Sequence, residues 1–205
     1  TKSSDNLRNF LTCFLNGLAL SDQHDIYERV LESELESARN LTDIARHLRY
    51  SDVENSNFAA RLLEQSIDKN DSTAITQCLL FALEHYGTEK IPDTNILLSK
   101  ALSFLNDNKD ARWVSEAWFL QKTTKFYEML TSETMAQILQ NMSYLCHVDY
   151  QFEAVLVRIA EHHLEAVWDY FGTRLTRKID ESEAHFEAIP FEFHNLQKEF
   201  LKNPQ

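Results

Sequence analysis

Apolar residues recur at three- and four-residue intervals along nearly the whole chain, the period of a helix with one buried side. The strict alternation of a strand is almost absent. From the start, Ser4 is placed to cap a first helix running to about Leu20. A second follows Ser21, with Ile26, Val30 and Leu31 on its apolar side, and a shorter one covers Leu41 to Tyr50. Ser51 and Glu54 form an S-x-x-E capping box, in which each side chain answers an orphan amide of the first turn. It opens a helix carrying Phe58, Leu62, Leu63 and Ile67. Asp71 or Ser72 begins the next, and Gly87 closes it where a left-handed residue is needed.

Two segments are apolar on more than one side. Ile75, Cys78, Leu79, Ala82 and Tyr86 make one stripe, and Leu80, Phe81 and Leu83 make another. After Asp110, Trp113, Ala117 and Leu120 form a seam with Val114, Trp118 and Phe126 beside it. Helices of this kind must be covered on two sides. Further helices are predicted over Pro92 to about Leu105, Ser132 to Tyr144, Asp149 to His162, and His163 to Lys178. In the last, Leu164, Val167, Trp168, Phe171 and Leu175 are expected to be buried. An acidic loop, DESEAHFEAIP, ends at Pro190, and a final helix runs from Phe191 to Lys202.

The chain therefore reads as all-α, about ten antiparallel helices joined by short polar turns, stacked in layers as a short α-solenoid. It is expected to be a single repeat-like domain over residues 1–205. In LSFLNDNKDARWVSEAWFL, Leu102 and Leu105 precede Asp107 and Asp110, followed by Val114, Ala117 and Leu120. This stretch resembles a HEAT repeat, a helix pair joined by an Asp-containing turn. Ser115 stands where that pattern has Arg, and the turn is about one residue longer. The resemblance implies a HEAT/ARM-like architecture and carries no activity with it.

Composition agrees with this reading. With 3 Gly and 3 Pro in 205 residues, the chain lacks the material for Gly-rich phosphate loops or for a hairpin-built sandwich. Lys and Arg total 20 against 32 Asp and Glu, a net charge of −12. Each half carries 10 basic and 16 acidic residues. Such a balance argues against binding duplex nucleic acid, which rests on Lys and Arg displacing counterions, and favours basic partners. Arg174, Arg177 and Lys178 form the one basic cluster, expected on a last helical turn facing the negative end of the helix dipole. Cys13, Cys78 and Cys146 lie far apart in apolar surroundings, without a CxxC pair. They are read as buried small hydrophobes in a reducing, cytoplasmic setting. The longest wholly apolar run, Cys78 to Leu83, is too short to span a bilayer. Because it begins at Thr1 rather than Met, the chain is expected to be processed or to be a piece of a longer polypeptide.

Little in the sequence carries chemistry. No His is followed by Glu, so the zinc-peptidase pattern is missing. No acidic residue stands three before any of the 8 His, which excludes the Glu-x-x-His of di-iron bundles. There is neither a G-x-S-x-G elbow nor a P-loop, and Cys146 and His147, adjacent on a helix, would point about 100° apart. Glu161, His162, His163 and Glu165 are the densest titratable group. His162 and Glu165 share a face, whereas His163 continues the row of Phe152, Leu156 and Ile159 and is expected to be half-buried. No metal, cofactor or catalytic residue is assigned. One pattern keeps an enzyme open: Arg158-Ile-Ala-Glu-His-His163 resembles the Arg-x4–6-His signature of the HEPN ribonucleases. That resemblance implies a metal-independent ribonuclease in which His163 does acid–base work beside Arg158, though Ile159 departs from a commonly polar position.

Around Pro190, Phe186, Ile189, Phe191, Phe193 and Phe200 gather apolar surface, suited to capping the last helices or to docking a partner. The first function expected is thus a non-catalytic helical scaffold that binds another protein.

Overall fold

The computed structural model describes residues 2–21, 23–50, 56–88, 93–117, 124–148, 150–181, 186–189 and 193–202. Side chains are described for these except 2–10, 56, 124–126, 150, 151 and 179–181. The described residues contain ten α-helices, one 3-10 turn and no strand, so the fold is all-α. The chain divides into two compact units, Thr1–Phe104 and Leu105–Gln205, with the division inside one helix. No helix among the described residues is long and apolar enough to cross a membrane.

The first unit holds α1 (Lys2–Ala19), α2 (His24–Ser37), α3 (Leu41–Tyr50), α4 (Ser56–Asp68), α5 (Ser72–Glu84) and most of α6 (Thr94–Asp107). Its centre is α5, where every residue from Ala74 to Leu83 is buried, so both apolar stripes read from the sequence are covered. The alternate helices α1, α3 and α5 pack in succession, with α2 against α1 and α3, and α4 against α3 and α5. Asp71 caps α5, its Oδ1 accepting the Ala74 amide at 3.0 Å, and the Thr42 hydroxyl of α3 donates to the same carboxylate at 3.1 Å. Gly87 follows with φ 69°, as expected. The proposed capping pair Ser51 and Glu54 lies outside the described residues.

One face differs from expectation. On α2 the buried residues are Tyr27, Leu31 and Leu35, while Ile26 is exposed and Val30 half-buried. The stripe turns toward Tyr27 because its hydroxyl has a partner inside, described below.

In the second unit, the segment after Asp110 forms a 3-10 turn, Arg112–Glu116, rather than a long helix. Asp110 competes with helix formation there: its Oδ1 accepts the Arg112 amide at 3.1 Å and the Arg112 Nε at 2.9 Å. Trp113 and Ala117 are nevertheless buried, and the Trp113 indole donates to Asn141 Oδ1 at 2.6 Å. Trp118, Leu120 and the Phe126 side chain lie outside what is described. Then come α7 (Thr124–Met129), α8 (Ser132–Met142), α9 (Tyr150–Glu181) and α10 (His194–Lys202).

The 32-residue α9 is interrupted at His163, with φ −138° and ψ 57°, where the sequence places the boundary between two helices. Its N-terminal part holds Glu153, whose Oε1 accepts the Asn195 and Leu196 amides at 2.7 and 3.1 Å. A buried carboxylate thus caps α10 from another helix, at the end where the dipole welcomes negative charge.

Candidate functional site

The second part of α9 is built around a side chain that the sequence reading assigns to the helix dipole at its end. Its buried stripe is Val167, Tyr170, Phe171 and Arg174, whereas Trp168 and Leu175, expected inside, are 50% and 44% exposed, and Leu164 is half-buried. The stripe is turned by about one residue, because the inward position one turn after Tyr170 is filled by an arginine. Arg174 has no exposed surface, and its guanidinium is shared among backbone carbonyls. Nε donates to Ala188 O at 3.0 Å, Nη1 to Ser143 O and Leu145 O at 3.1 and 2.7 Å, and Nη2 to Glu187 O. Arg177 Nη1 donates to Ser143 O at 3.2 Å, and Lys178 Nζ to Phe186 O at 2.6 Å.

The Phe186 ring lies 4.4 Å from the Arg174 guanidinium and 4.5 Å from that of Arg177, close enough for both to face its π cloud. The basic cluster is therefore a clamp on residues 143–145 and 186–188, and of its three cations only Lys178 falls in the last turn of α9, where the dipole reading placed all of them. Burial pushes the Arg174 guanidinium below its ordinary range, and the opposing pull of Tyr170 offsets part of this. The clamp also seats the tail: Phe186, Phe193 and Leu196 are buried, Phe200 stacks on Trp168 with centroids 4.2 Å apart, and Ile189 is exposed. Phe191 lies outside the described residues.

On the opposite side, α9 presents Trp168, Asp169, Gly172, Thr173 and Thr176 to an open groove of about 800 Å³, closed at its edges by Lys109, Gln140, Ser143, Tyr144 and Arg177. The Thr173 and Thr176 hydroxyls donate to Asp169 O and Gly172 O one turn back, at 2.9 and 3.0 Å. The floor is thus uncharged at its middle, with Trp168 and Asp169 toward one end and Arg177 at the other. This is the candidate functional site.

The residues singled out for catalysis are placed differently. Arg158 is half-buried, with Nη1 at 3.2 and 3.0 Å from the Glu161 carboxylate oxygens. His163 is half-buried, as its row predicts, and stands at the interruption of α9. No group of three or more His, Cys, Asp or Glu among the described residues could hold a metal ion. Of the three free cysteines only Cys78 is buried, its thiol pushed up to about 12 by burial; Cys13 and Cys146 are exposed, contrary to the reading of all three as core residues. Cys13 is two residues, about 200° of helix, from buried Leu15, and Cys146 lies beyond the end of α8.

The chain matches no family model, and no curated protein or solved structure is significantly similar to it.

Two polar arrangements in the first unit escape a reading of the sequence. Arg49, with its side chain 4% exposed, donates from Nε to Glu84 Oε1 at 3.0 Å and from Nη1 to Gln77 Oε1 at 3.2 Å. His47 is buried between three helices, its Nδ1 2.9 Å from Asn16 Oδ1 and its Nε2 2.8 Å from the Tyr27 hydroxyl. A neutral ring protonated at Nδ1 satisfies both, donating to Asn16 and accepting from Tyr27. Burial lowers the pKa of His47 accordingly. The available signal was positional: Arg49 and Arg174 both fall on apolar stripes, a placement charged residues avoid unless partnered.

Proposed function

We propose that this protein is a non-catalytic, HEAT/ARM-like helical scaffold that works by binding another protein chain through the outer face of α9. The observation that carries the reading is that face: half-exposed Trp168 lines an open groove with Gly172, and half-exposed Leu175 follows one turn on, on a helix whose other side is firmly anchored. A rigid helix presenting an aromatic and an aliphatic anchor beside small residues suits protein contact, where Trp carries much of the energy. The succession of α1, α3 and α5 in the first unit supports layered stacking. Three free cysteines suit a reducing compartment and hence the cytoplasm, and a net charge of −12 disfavours duplex nucleic acid.

The test is to place a photo-reactive p-benzoylphenylalanine at Thr173, and separately at Tyr50, in the protein made in its own cells. A protein adduct from position 173 and none from position 50 is expected. No adduct at 173 contradicts the reading.

A metal-independent ribonuclease using Arg158 and His163 is the second reading, favoured by the interruption of α9. In an unbroken helix residues five apart point about 140° away from one another, and the break at His163 removes that constraint. RNA cleavage by wild type, lost in His163→Ala without added metal, would establish it. Equal behaviour of the two proteins removes it.

A further inference from the structure

We infer that the chain seated on the outer face of α9 is a second copy of this protein, bound with the two helices antiparallel and crossing at Thr173. The inference rests on the binding reading above and names its partner. Two observations lead to it. The first is Gly172. It lies in a helix interior with φ below zero, and an added Cβ there would meet nothing within 4 Å. The fold has no use for the missing side chain, yet glycine in a helix costs about 0.5–1 kcal/mol relative to alanine. A glycine that the chain's own packing does not require suits the close approach of another backbone. Gly17 on α1 is equally unencumbered, but it borders no described groove.

The second observation is charge. The chain as a whole carries −12, so two copies repel at a distance. The α9 residues that line the groove, however, carry one charge of each sign, Asp169 and Arg177. Asp169 stands four residues before Thr173 and Arg177 four after it. In an antiparallel crossing, a residue at a given distance before the crossing meets the residue at the same distance after it in the other copy. Asp169 of each copy then meets Arg177 of the other, twice over, by the two-fold symmetry that makes such interfaces self-complementary. At the centre Gly172 and Thr173 let the backbones approach.

Engineered cysteines test the arrangement in a Cys13→Ser, Cys146→Ser background under mild oxidant. Thr173→Cys, at the crossing, should trap a disulfide-linked dimer. Glu165→Cys should not, because antiparallel helices hold the two copies of that residue about 24 Å apart, sixteen residues at 1.5 Å each. Sedimentation velocity of the wild type should show twice the chain mass of 24.0 kDa as concentration rises, and Thr173→Arg should hold it at the single-chain mass with an unchanged circular dichroism spectrum. A wild type at the single-chain mass at every concentration overturns the inference. So does efficient cross-linking through Glu165→Cys, which means parallel helices, or a dimer that Thr173→Cys does not trap. The photo-adduct at position 173 separates the two levels. An adduct with a different protein removes the second copy and keeps the binding module, whereas no adduct removes both.

Discussion

Arg49 and Arg174 are both buried arginines, one in each unit, and they are satisfied in opposite ways. Arg49 is paired with a carboxylate and an amide, Glu84 and Gln77, on the helix packed against its own. Arg174 is shared among four backbone carbonyls from two segments without regular structure, at residues 143–145 and 187–188. The first joins helices that apolar packing already brings together around α5. The second organises backbone that has no ladder of its own, where each carbonyl left without a donor would cost the full penalty of a buried polar group. The same residue type is thus an accessory in one unit and the keystone of the other.

The largest effect should come from Arg174→Met, which keeps the stem and removes every donor. Amide hydrogen exchange over 132–202 should show a loss of about 3 kcal/mol or more in opening free energy, with residues 24–84 unchanged. A loss below about 1 kcal/mol would mean that the tail seats without the clamp. Glu84→Gln, the matching change in the first unit, should cost about 1–2 kcal/mol, because the carboxylate is partly exposed and Gln77 and the new amide still accept from Arg49. Equal costs for the two variants would erase the contrast.

The third effect is smaller and depends on pH. The folded protein holds His47 neutral, with its pKa below the ordinary 6.5, so the unfolded chain takes up that proton first as the pH falls. Stability from this site is complete above about 6.5 and is lost as pH falls through the lower folded value. Denaturant melts of the wild type should therefore weaken between about pH 7 and pH 5 more than those of His47→Gln, which carries no titrating ring. Identical slopes would show that the proton is taken up without strain on the Asn16 and Tyr27 contacts.

Much of the helical framework was legible because helix period, caps and breakers act locally. The α3 limits, the Asp71 cap and the division of α9 at His163 each follow from nearby residues. What could not be read is which way a helix faces when its stripe includes a polar residue. Tyr27 and Arg174 are inside because His47 and the carbonyls of distant loops satisfy them, and those partners lie 20 or more residues away in the first case and 29 to 31 residues away for Ser143 and Leu145 in the second. Reading Leu175 and Trp168 as core was the same error seen from outside: it hid the face that is the candidate site. The 3-10 turn at Arg112 was missed because a side-chain bond from Asp110 outweighed a good apolar period.

If the outer face of α9 is where this protein makes contact, Trp168 must become shielded as the complex forms while exposed residues elsewhere do not. Oxidative footprinting across a concentration series measures this directly, with Tyr50, 73% exposed in the first unit, as the internal reference. Labelling of Trp168 should fall as concentration rises and Tyr50 should stay constant, with Thr173→Arg abolishing the fall. Trp168 labelling that stays level with Tyr50 at every concentration would contradict it.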